Sequence, residues 1–309
     1  MDKMEQDNLF DVLIIGAGAA GLTAAIYSSR YAMDVAIVSK DTGGLAATAH
    51  KICNYPGFEE ISGFDLMHRI SMQAKKLGVR IFHEEVLKIT KEKETFTVKT
   101  NRNEYHAKKV IFSGGMERRK LNVPGEERLY GKGVSYCATC DAGFFKEKVV
   151  AVVGGSDAAL TSALLLSEIA SKVYIIYRKR GFSRAEPAWI KLVNSEEKIE
   201  KLFNEEVVEV LGEHKVEAIK LKSDKELKVD GVFVEIGSEP KLELLKDLNV
   251  DLERGFVKVD KKQETNIRGL YSAGDITDNE LKQIVTAASQ GALAAFSCFE
   301  ELKIEESEK

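Results

Sequence analysis

A strand, a glycine turn and a helix follow one another near the start of the chain, and this succession constrains the fold more than any other feature. The run Asp11–Ile15 is apolar after its first residue, as the buried strands of parallel sheets are. It leads directly into a G-x-G-x-x-G turn and then into a helical stretch with a further strand behind it. In that context the pattern predicts a dinucleotide-binding unit. Gly16 makes the tight turn, Gly18 lets the backbone approach a pyrophosphate, and Gly21 allows the helix to pack closely on the strand.

The same order of elements returns later in the chain. Residues 148–177 repeat the succession of strand, glycine turn, helix and strand, and this second turn starts at Gly154-Gly155. Ser156 stands where the first unit has its second glycine. Two such units predict an α/β fold with two Rossmann-like (three-layer ββα) domains. They imply either two bound dinucleotides or one dinucleotide and a degenerate copy of its site.

A basic cluster follows the second strand of the second unit, at Arg178, Lys179, Arg180 and Arg184. The adenosine ribose lies at this point of a dinucleotide fold, where an acidic side chain selects a free 2′-hydroxyl and arginine accommodates a 2′-phosphate. No Asp or Glu ends the strand. If a nicotinamide dinucleotide binds here, the cluster favours NADPH over NADH, because guanidinium groups match phosphate geometry. The alternative is a solvated basic turn.

Two cysteines lie between the units, in Cys137-Ala-Thr-Cys140-Asp141. With two residues between them the thiols can close a small disulfide ring, and Asp141 is adjacent for exchanging the proton that dithiol chemistry requires. The competing interpretation is zinc, but a structural zinc site needs four ligands, and the sequence offers no second C-x-x-C and no nearby pair of histidines. Redox chemistry is therefore favoured, and no metal is expected. We interpret Cys53 and Cys298 as small core residues.

Two further segments favour a flavin as one of the dinucleotides. A predicted strand ends in Ser113-Gly114, a small-residue turn of the kind that returns to a nucleotide. Near the end of the chain Gly274-Asp275 follows another strand, where the carboxylate can accept a hydrogen bond from a ribityl hydroxyl. A nicotinamide dinucleotide lacks that group. The helix predicted over Gln283–Phe299 begins close to this aspartate and can cover the isoalloxazine ring.

Composition narrows the functional classes. The chain of 309 residues has a formal net charge of -4, which gives no reason to expect nucleic acid binding. No apolar run is long enough to span a membrane, and the acidic segment Met1–Asn8 does not resemble a signal or transit peptide, so a cytoplasmic location is expected. The charged runs at 91–94 and 300–309 are expected to be solvated faces and a frayed terminus.

Over nearly its whole length the chain resembles the low-molecular-weight thioredoxin reductases, which are FAD-dependent pyridine nucleotide-disulfide oxidoreductases. The resemblance rests on both glycine turns and on several shorter motifs: Gly43-Gly44, Asn54-Tyr-Pro56-Gly57, Ser113-Gly114-Gly115, Cys137-Ala-Thr-Cys140-Asp141, Gly274-Asp275 and Gln283 with its helix. It implies a discontinuous FAD-binding domain, residues 1–116 plus 244–309, with an inserted NAD(P)H-binding domain, residues 117–243, that includes the cysteine pair. It also implies a homodimer.

The resemblance further implies a route for electrons and a set of site residues. NADPH reduces FAD, FAD reduces the disulfide, and the dithiol reduces thioredoxin or a glutaredoxin-like protein. Cys140 faces the flavin, Cys137 exchanges with the protein disulfide, and Asp141 handles the proton. The residues implied for FAD are Gly16, Gly18, Ala19, Ala20, Gly21, Ser39, Gly43, Gly44, Leu45, Asn54, Val86, Ser113, Gly114, Gly274, Asp275, Lys282, Gln283 and Ile284. Those implied for NADPH are Gly154, Gly155, Ser156, Asp157, Ala158, Arg178, Lys179 and Arg184.

This sequence departs from the family pattern mainly in the second unit. The departures there are Ser156 for glycine, Thr161-Ser162 for an acidic pair, Tyr177-Arg178-Lys179 for His-Arg-Arg, and Arg184 one position late. Outside it, Lys282 replaces an arginine and Leu45 a glutamine. Some relatives with an altered second domain take electrons from a deazaflavin or ferredoxin, so a non-nicotinamide donor is the alternative.

Overall fold

The computed structural model describes residues 9–183 and 185–308, and the chain divides into two compact units. The first unit contains the described residues up to Ala47, residues Ile52–Glu117 and those from Pro240 onward. The second contains Thr48–Lys51 and Arg118–Glu239. The second unit is therefore inserted into the first.

Strands and helices alternate in two stretches of the chain, and runs of consecutive strands make up most of the remainder. The strands are β1 (Leu9–Ala17), β2 (Val35–Thr42), β3 (Arg80–His83), β4 (Val86–Glu92), β5 (Thr95–Thr100), β6 (Glu104–Phe112), β7 (Met116–Arg118), β8 (Val134–Ser135), β9 (Val149–Val153), β10 (Lys172–Tyr177), β11 (Ile199–Phe203), β12 (Val207–Leu211), β13 (Ala218–Leu221), β14 (Glu226–Lys228), β15 (Gly231–Val234), β16 (Ser238–Pro240), β17 (Leu252–Glu253), β18 (Phe256–Val257) and β19 (Leu270–Ser272). The helices are α1 (Ala19–Arg30), α2 (Gly63–Lys76), α3 (Ala138–Asp141), α4 (Asp157–Ile169), α5 (Pro187–Ser195) and α6 (Ile284–Ser307), with 3₁₀ turns at Gly44–Thr48, Ala142–Phe145 and Glu243–Leu248.

A seven-stranded sheet forms the centre of the first unit. β1 lies between β2 and β6, and β3 lies beyond β2, all parallel. β19 pairs in parallel with the end of β6, whereas the β4–β5 hairpin joins the start of β6 in antiparallel register. The strand order reverses at β1, and doubly wound sheets bind their ligands at the carboxyl edge beside such a reversal.

Apolar side chains cover both faces of this sheet. On one face β1 packs against α1 and α6, whose crossing is so close that a Cβ on Gly291 would lie 2.1 Å from the carbonyl oxygen of Ala20. On the other face Phe10, Phe96 and Phe112 join residues of the β17–β18 region in a second apolar cluster. The sheet is thus sealed on both sides, as a doubly wound fold requires.

The end of α6 differs from the sequence-based expectation. Residues 300–309 were expected to form a solvated, frayed terminus, but α6 continues to Ser307. Lys109 of β6 is the reason, because its side chain is only 3% exposed and lies 2.9 Å from Glu301 and 2.7 Å from Glu305. The hydroxyl of Tyr271 also donates to Glu301, at 2.5 Å. The contacts of Glu301 and Glu305 with Lys109 therefore hold the last turns of the helix, and the expected fraying was wrong as far as Ser307. The expected solvation is found at Glu300, Lys303 and Glu306, which are exposed.

The second unit has a five-stranded sheet in the order β11-β10-β9-β15-β8, and all its strands are parallel. α4 and α5 pack on one face, while the antiparallel β12-β13-β14 sheet covers the other. β9 is the strand at which the order reverses. The predicted α/β fold with two Rossmann-like domains is confirmed. Within the described part of the chain, no helix combines the length and hydropathy that crossing a membrane requires.

Candidate functional site

In the first glycine turn, Gly16 and Gly21 are packed against neighbouring backbone, whereas Gly18 faces open space. Gly16 has a φ of +103°, and a Cβ there would lie 2.3 Å from the carbonyl oxygen of Ser113. A Cβ on Gly21 would lie 1.9 Å from the carbonyl oxygen of Gly16. A Cβ on Gly18, in contrast, would meet no atom of the described residues within 4 Å. Because no side chain of the described residues caps α1 at Gly18, the first N–H groups of this helix face an open space suited to a phosphate.

The loop after β2 closes against this turn. The N–H of Gly43 donates to the carbonyl oxygen of Ala17 at 2.8 Å. Gly44 has a φ of +55°, and a Cβ on it would lie 3.7 Å from the Cα of Gly18. Ala19 and Ala20, as the first residues of α1, border the same opening. The structure thus brings together the glycines predicted for FAD on both sides of the open space.

Other predicted FAD residues lie at strand ends around the turn. The hydroxyl of Ser113 donates to the carbonyl oxygen of Ile15 at 2.9 Å and so ties β6 to β1. The bare face of Gly114 touches the Phe112 ring, since a Cβ there would lie 2.7 Å from it. The remaining members of this group are Ser39 in β2, Leu45 in the 3₁₀ turn Gly44–Thr48, and Val86 at the start of β4.

The C-terminal segment approaches the start of α1 through Gly274. This glycine has a φ of +92°, and a Cβ on it would lie 3.0 Å from the Cβ of Ala20. Its N–H donates to Gln290 Oε1 at 2.9 Å, and Gln290 Nε2 donates to Thr277 Oγ1 at 3.0 Å. Gln290 was not among the site residues predicted from the sequence, although it lies only seven positions after Gln283, within the first two turns of α6.

Asp275 and Lys282 are two partly buried groups of opposite charge beside this glycine. Burial raises the pKa of Asp275, and the nearby Lys282 opposes that shift. Burial likewise lowers the pKa of Lys282, opposed by Asp275 and Asp278. The Lys282 ammonium donates to the Thr277 carbonyl and lies 4.0 Å from the centre of the Phe256 ring. The Lys282 side chain is thus held by the Thr277 carbonyl and the Phe256 ring, and Asp275 presents a carboxylate in a poorly solvated position.

Gln283 and Asn54 meet although they are far apart in sequence. The Asn54 amide donates to Gln283 Oε1 at 3.2 Å. Gln283 is the N-cap of α6, which begins with Ile284, and it forms a capping box with Thr286. Cys53, next to Asn54, is exposed, so its interpretation as a core residue is wrong, whereas Cys298 is fully buried as expected. The buried neighbour of Cys53 is Ile52, which pairs with Ile61 and directs the following side chain outward.

The second glycine turn is narrower than the first. Gly154 has a φ of +149°, and a Cβ there would lie 2.1 Å from the carbonyl oxygen of Glu235. The Tyr177 ring covers the bare face of Gly155, at 2.6 Å from the place of a Cβ. Ser156 is the N-cap of α4, and within the residues described no side chain caps this helix. The N–H groups at the start of α4 therefore remain directed at the carboxyl edge of the sheet, as in the first unit.

The other residues predicted for NADPH surround this turn. Asp157 Oδ1 accepts the N–H of Glu186 at 2.6 Å, which ties the turn to the loop before α5, and Ala158 is exposed. Arg178 and Lys179 are exposed after β10, and neither is paired with a carboxylate within residues 9–183 and 185–308. Arg184, the last member of the predicted set, lies outside the described residues.

The second unit also contains a buried ion pair that sequence analysis missed. Glu235 follows β15, and its Oε2 lies 2.6 Å from Arg118 Nη1. Its Oε1 accepts the Ser162 hydroxyl at 3.1 Å. Burial raises the pKa of Glu235, and Arg118 and Ser162 oppose that shift. The carboxylate thus lies beneath the glycine turn, at the point where the strand order reverses.

Cys137 and Cys140 are joined in a disulfide, with their Cα atoms 5.3 Å apart. Cys137 is half-buried at the N-cap of α3, and its Sγ accepts the N–H of Cys140 at 3.2 Å, while Cys140 is exposed. Asp141 ends the same short helix and accepts the hydroxyl of Ser135 at 2.6 Å. The described residues include no group of three or more His, Cys, Asp or Glu side chains arranged to hold a metal ion. The pair therefore has the geometry of an exchangeable disulfide with a carboxylate beside it.

The residues present fit two dinucleotides. The first unit has an open cradle at Gly18, an uncapped helix and the partly buried carboxylate of Asp275, which match a pyrophosphate and a ribityl hydroxyl. In the second unit, no described side chain caps the helix after Ser156, and Arg178 and Lys179 are exposed basic side chains, which match a pyrophosphate and a 2′-phosphate. These are the donor sets expected for FAD and NADPH.

Comparison with known proteins agrees with this assignment. The pyridine nucleotide-disulphide oxidoreductase family matches residues 10–291. The chain is 39% identical over 301 residues to a thioredoxin reductase of Bacillus subtilis, with 95% of each chain covered. It resembles the crystal structure of T. acidophilum thioredoxin reductase (36% identity, TM-score 0.90, 96% of this chain and 99% of that one). It also resembles a ferredoxin-flavin thioredoxin reductase from Clostridium acetobutylicum (36% identity, TM-score 0.54, 96% and 99% coverage). The chain therefore belongs to the pyridine nucleotide-disulphide oxidoreductase family and, within it, to the low-molecular-weight thioredoxin reductases, which are FAD- and NADPH-dependent enzymes.

Proposed function

We propose that this enzyme transfers electrons from NADPH, by way of FAD, to the Cys137–Cys140 disulfide and from there to the disulfide of a thioredoxin. The observation that carries the proposal is the disulfide itself, with Asp141 on the same short helix and Cys140 exposed. A glutaredoxin-like protein is the second candidate acceptor, because it presents the same redox-active dithiol chemistry. Bound FAD would supply the two-electron carrier between the nicotinamide and the protein disulfide.

The dithiol form reduces the acceptor by two exchanges. The Cys137 thiolate attacks one sulfur of the acceptor disulfide, that S–S bond breaks, and the released sulfur takes a proton. The Cys140 thiolate then attacks Cys137 Sγ, which re-forms the protein disulfide and releases the second acceptor thiol. Two electrons and two protons pass from the cysteine pair to the acceptor. Asp141 is the group that holds and returns the proton during these exchanges.

We assign FAD to the first unit and NADPH to the second. The open cradle at Gly18, the Gly274 approach to α1 and the Asn54–Gln283 contact support the first assignment. The start of α4, which no described side chain caps, and the exposed basic side chains Arg178 and Lys179 support the second. The corresponding domains are residues 1–116 plus 244–309 for FAD and 117–243 for NADPH.

A non-nicotinamide donor is the second candidate for the entry of electrons. Ser156 replaces a glycine, and the Tyr177 ring covers Gly155, so the second turn leaves less room for a pyrophosphate than the first. One similar structure is that of a ferredoxin-flavin thioredoxin reductase. The candidate keeps the role of Cys137 and Cys140 and changes only the donor.

Anaerobic reduction of the flavin separates the two donors. The yellow protein is mixed with NADPH and, separately, with NADH, and the flavin absorbance is followed. Rapid bleaching by NADPH alone is the expected result. If dithionite bleaches the flavin and neither nucleotide does, the NADPH assignment is wrong and reduced ferredoxin or a reduced deazaflavin becomes the donor to test.

A cysteine variant tests the exit of electrons. Cys140→Ser is expected to bind FAD and to lose the reduction of oxidised thioredoxin, measured as free thiol formed. Cys53→Ser is the matched control, because Cys53 is an exposed free cysteine, and it is expected to retain full activity. Retained thioredoxin reduction by Cys140→Ser would rule out the proposed exchange.

We further propose that the enzyme is a homodimer that works in the cytoplasm, where NADPH is supplied. Tyr27, Tyr31 and Phe296 form an aromatic strip across α1 and α6, with ring centres about 6 Å apart, and Tyr27 and Phe296 are more than 40% exposed. Phe64 and Met72 of α2 are further exposed apolar side chains in the same unit. Exposed apolar surface on packed helices is typical of an association site, and a second copy of the chain is the proposed occupant.

A further inference from the structure

Ser135 lies at the centre of the polar contacts around the cysteine pair. Its hydroxyl donates to Asp141 Oδ2 at 2.6 Å and accepts the N–H of Cys137 at 3.0 Å. The Cys137 carbonyl oxygen is a second, more distant acceptor at 3.3 Å. One hydroxyl has one proton to donate, and the much shorter distance assigns that proton to the carboxylate.

The position of this hydroxyl is fixed by the backbone. Ser135 is the last residue of β8 and pairs with Phe233 of β15 in the central sheet of the second unit. It is 3% exposed. Cys137 and Asp141, in contrast, belong to a loop and to a helix of only four residues. The Ser135 side chain therefore links the central sheet to the segment that contains Cys137 and Asp141.

We propose that Ser135 is a positioning residue for dithiol exchange, acting through Asp141. A carboxylate on a short helix has rotamers that point away from the cysteines, and the hydrogen bond to Oδ2 selects one orientation. Oδ1 then remains to hold and return the proton of the exchanging thiol. The N–H of Cys137, held by the same oxygen, fixes the sulfur relative to that carboxylate. This inference rests on the proposed function of Cys137, Cys140 and Asp141.

An isosteric pair of variants separates the hydroxyl from the volume of the side chain. Ser135→Thr keeps the hydroxyl, while Ser135→Val adds the same volume and removes it, and both residues suit a β-strand. With thioredoxin as substrate, kcat of Ser135→Val is expected to be about tenfold to a hundredfold below that of Ser135→Thr, with KM values within about threefold of each other. Equal kcat values for the two variants would overturn the proposal.

A double variant tests whether Ser135 acts through Asp141. In an Asp141→Asn background, Ser135→Val is expected to change kcat by less than about twofold relative to Ser135→Thr, because the group being positioned is already lost. A purely structural role would lower kcat by the same factor in both backgrounds, and that result would contradict the inference.

Two controls keep this result distinct from a failure of the proposed function. All rates are normalised to bound flavin, and the bleaching of flavin by NADPH is expected to be unchanged in every variant. Ser167→Ala removes a buried hydroxyl of the same unit that donates to the Leu164 carbonyl, and it is expected to leave kcat unchanged. If the native protein itself does not reduce thioredoxin, the proposed function fails. If it does and the Thr and Val variants match, only the role of Ser135 fails.

Discussion

The Arg118 guanidinium and the Glu235 carboxylate lie 2.6 Å apart beneath the second glycine turn, and Glu235 is almost fully buried while Arg118 is partly exposed. This asymmetry predicts that the two partners respond differently to substitution. Arg118→Met leaves a buried carboxylate without its cation and is expected to destabilise the protein by about 3 kcal/mol. Glu235→Gln leaves only a cation that water can reach, and its cost is expected to be about 1 kcal/mol or less.

The pH dependence of this pair has a definite sign. Because burial raises the pKa of Glu235, its contribution to stability is fully present below the ordinary value of 4.5 and is lost as the pH rises through the raised pKa. We therefore measure the melting temperature of Glu235→Gln minus that of the native protein. This difference is expected to be more positive at pH 8 than at pH 4. If Arg118→Met and Glu235→Gln lower the melting temperature equally at pH 8, the two side chains do not differ in the way their burial predicts.

Substitutions of two glycines in the first turn are predicted to have different effects, one on FAD binding and the other on folding. A Cβ on Gly18 enters open space, so Gly18→Val is expected to leave the fold intact and to weaken FAD binding at least about tenfold, because the side chain fills the phosphate cradle. A Cβ on Gly21 would overlap the Gly16 carbonyl oxygen, so Gly21→Val is expected to lower the yield of folded protein. FAD titration of the apoprotein and its circular dichroism distinguish the two outcomes. Normal FAD affinity in Gly18→Val would exclude this site for the pyrophosphate.

The Glu301 carboxylate is predicted to lose its stabilising role in acid. Burial alone would raise its pKa, but hydrogen bonds from Tyr271, Lys109 and Arg268 lower it below 4.5. A lowered pKa in the folded state means that the stabilisation is present above pH 4.5 and is lost as the pH falls through the folded value. The difference in melting temperature between the native protein and Glu301→Gln is therefore expected to be largest at neutral pH and to shrink below about pH 4. A difference that does not depend on pH would contradict the assignment.

The aromatic strip on α1 and α6 is predicted to hold the dimer together. Phe296→Glu places a charge in that strip and is expected to convert the dimer to monomer, measured by light scattering during gel filtration. Leu252→Glu is the matched control, because Leu252 is equally exposed in the first unit but lies in β17, away from these helices. A native protein that elutes as a monomer would refute the proposed dimer directly.

The fold could be predicted from the sequence because the features that specify it, the two glycine turns with their flanking strands and helices, are each formed by residues close together in the chain. Each glycine turn lies between a strand and a helix within about thirty residues. The positive φ and close packing at Gly16 and Gly154 require glycine, so these positions can be recognised in the sequence. The disulfide partners are likewise only three positions apart. The roles assigned to the individual FAD and NADPH residues remain predictions.

Contacts between distant segments were the part that the sequence did not reveal. Glu235 and Arg118 are 117 positions apart. Glu235 directly follows an apolar strand, and from the sequence alone an acidic residue at a strand end is expected to be solvated. The buried Lys109 similarly anchors the charged end of α6 through Glu301 and Glu305. Cys53 was misjudged because its exposure depends on the pairing of Ile52 with Ile61. In each case the deciding partner lies on another element, and a single sequence contains no signal for it.

The insertion of the second unit has a consequence for biosynthesis. On the ribosome, β6 is made well before β19, its partner in the same sheet, and residues Arg118–Glu239 of the second unit are synthesised between them. At ordinary rates of translation that interval is on the order of ten seconds. During it residues Arg118–Glu239 can begin to fold, while the nascent first unit lacks β19, Gln283 and α6, which complete its core. If the first unit binds FAD as proposed, flavin capture is expected only near the end of synthesis. A chain truncated before β19 is then expected to contain both cysteines of the pair and to be colourless.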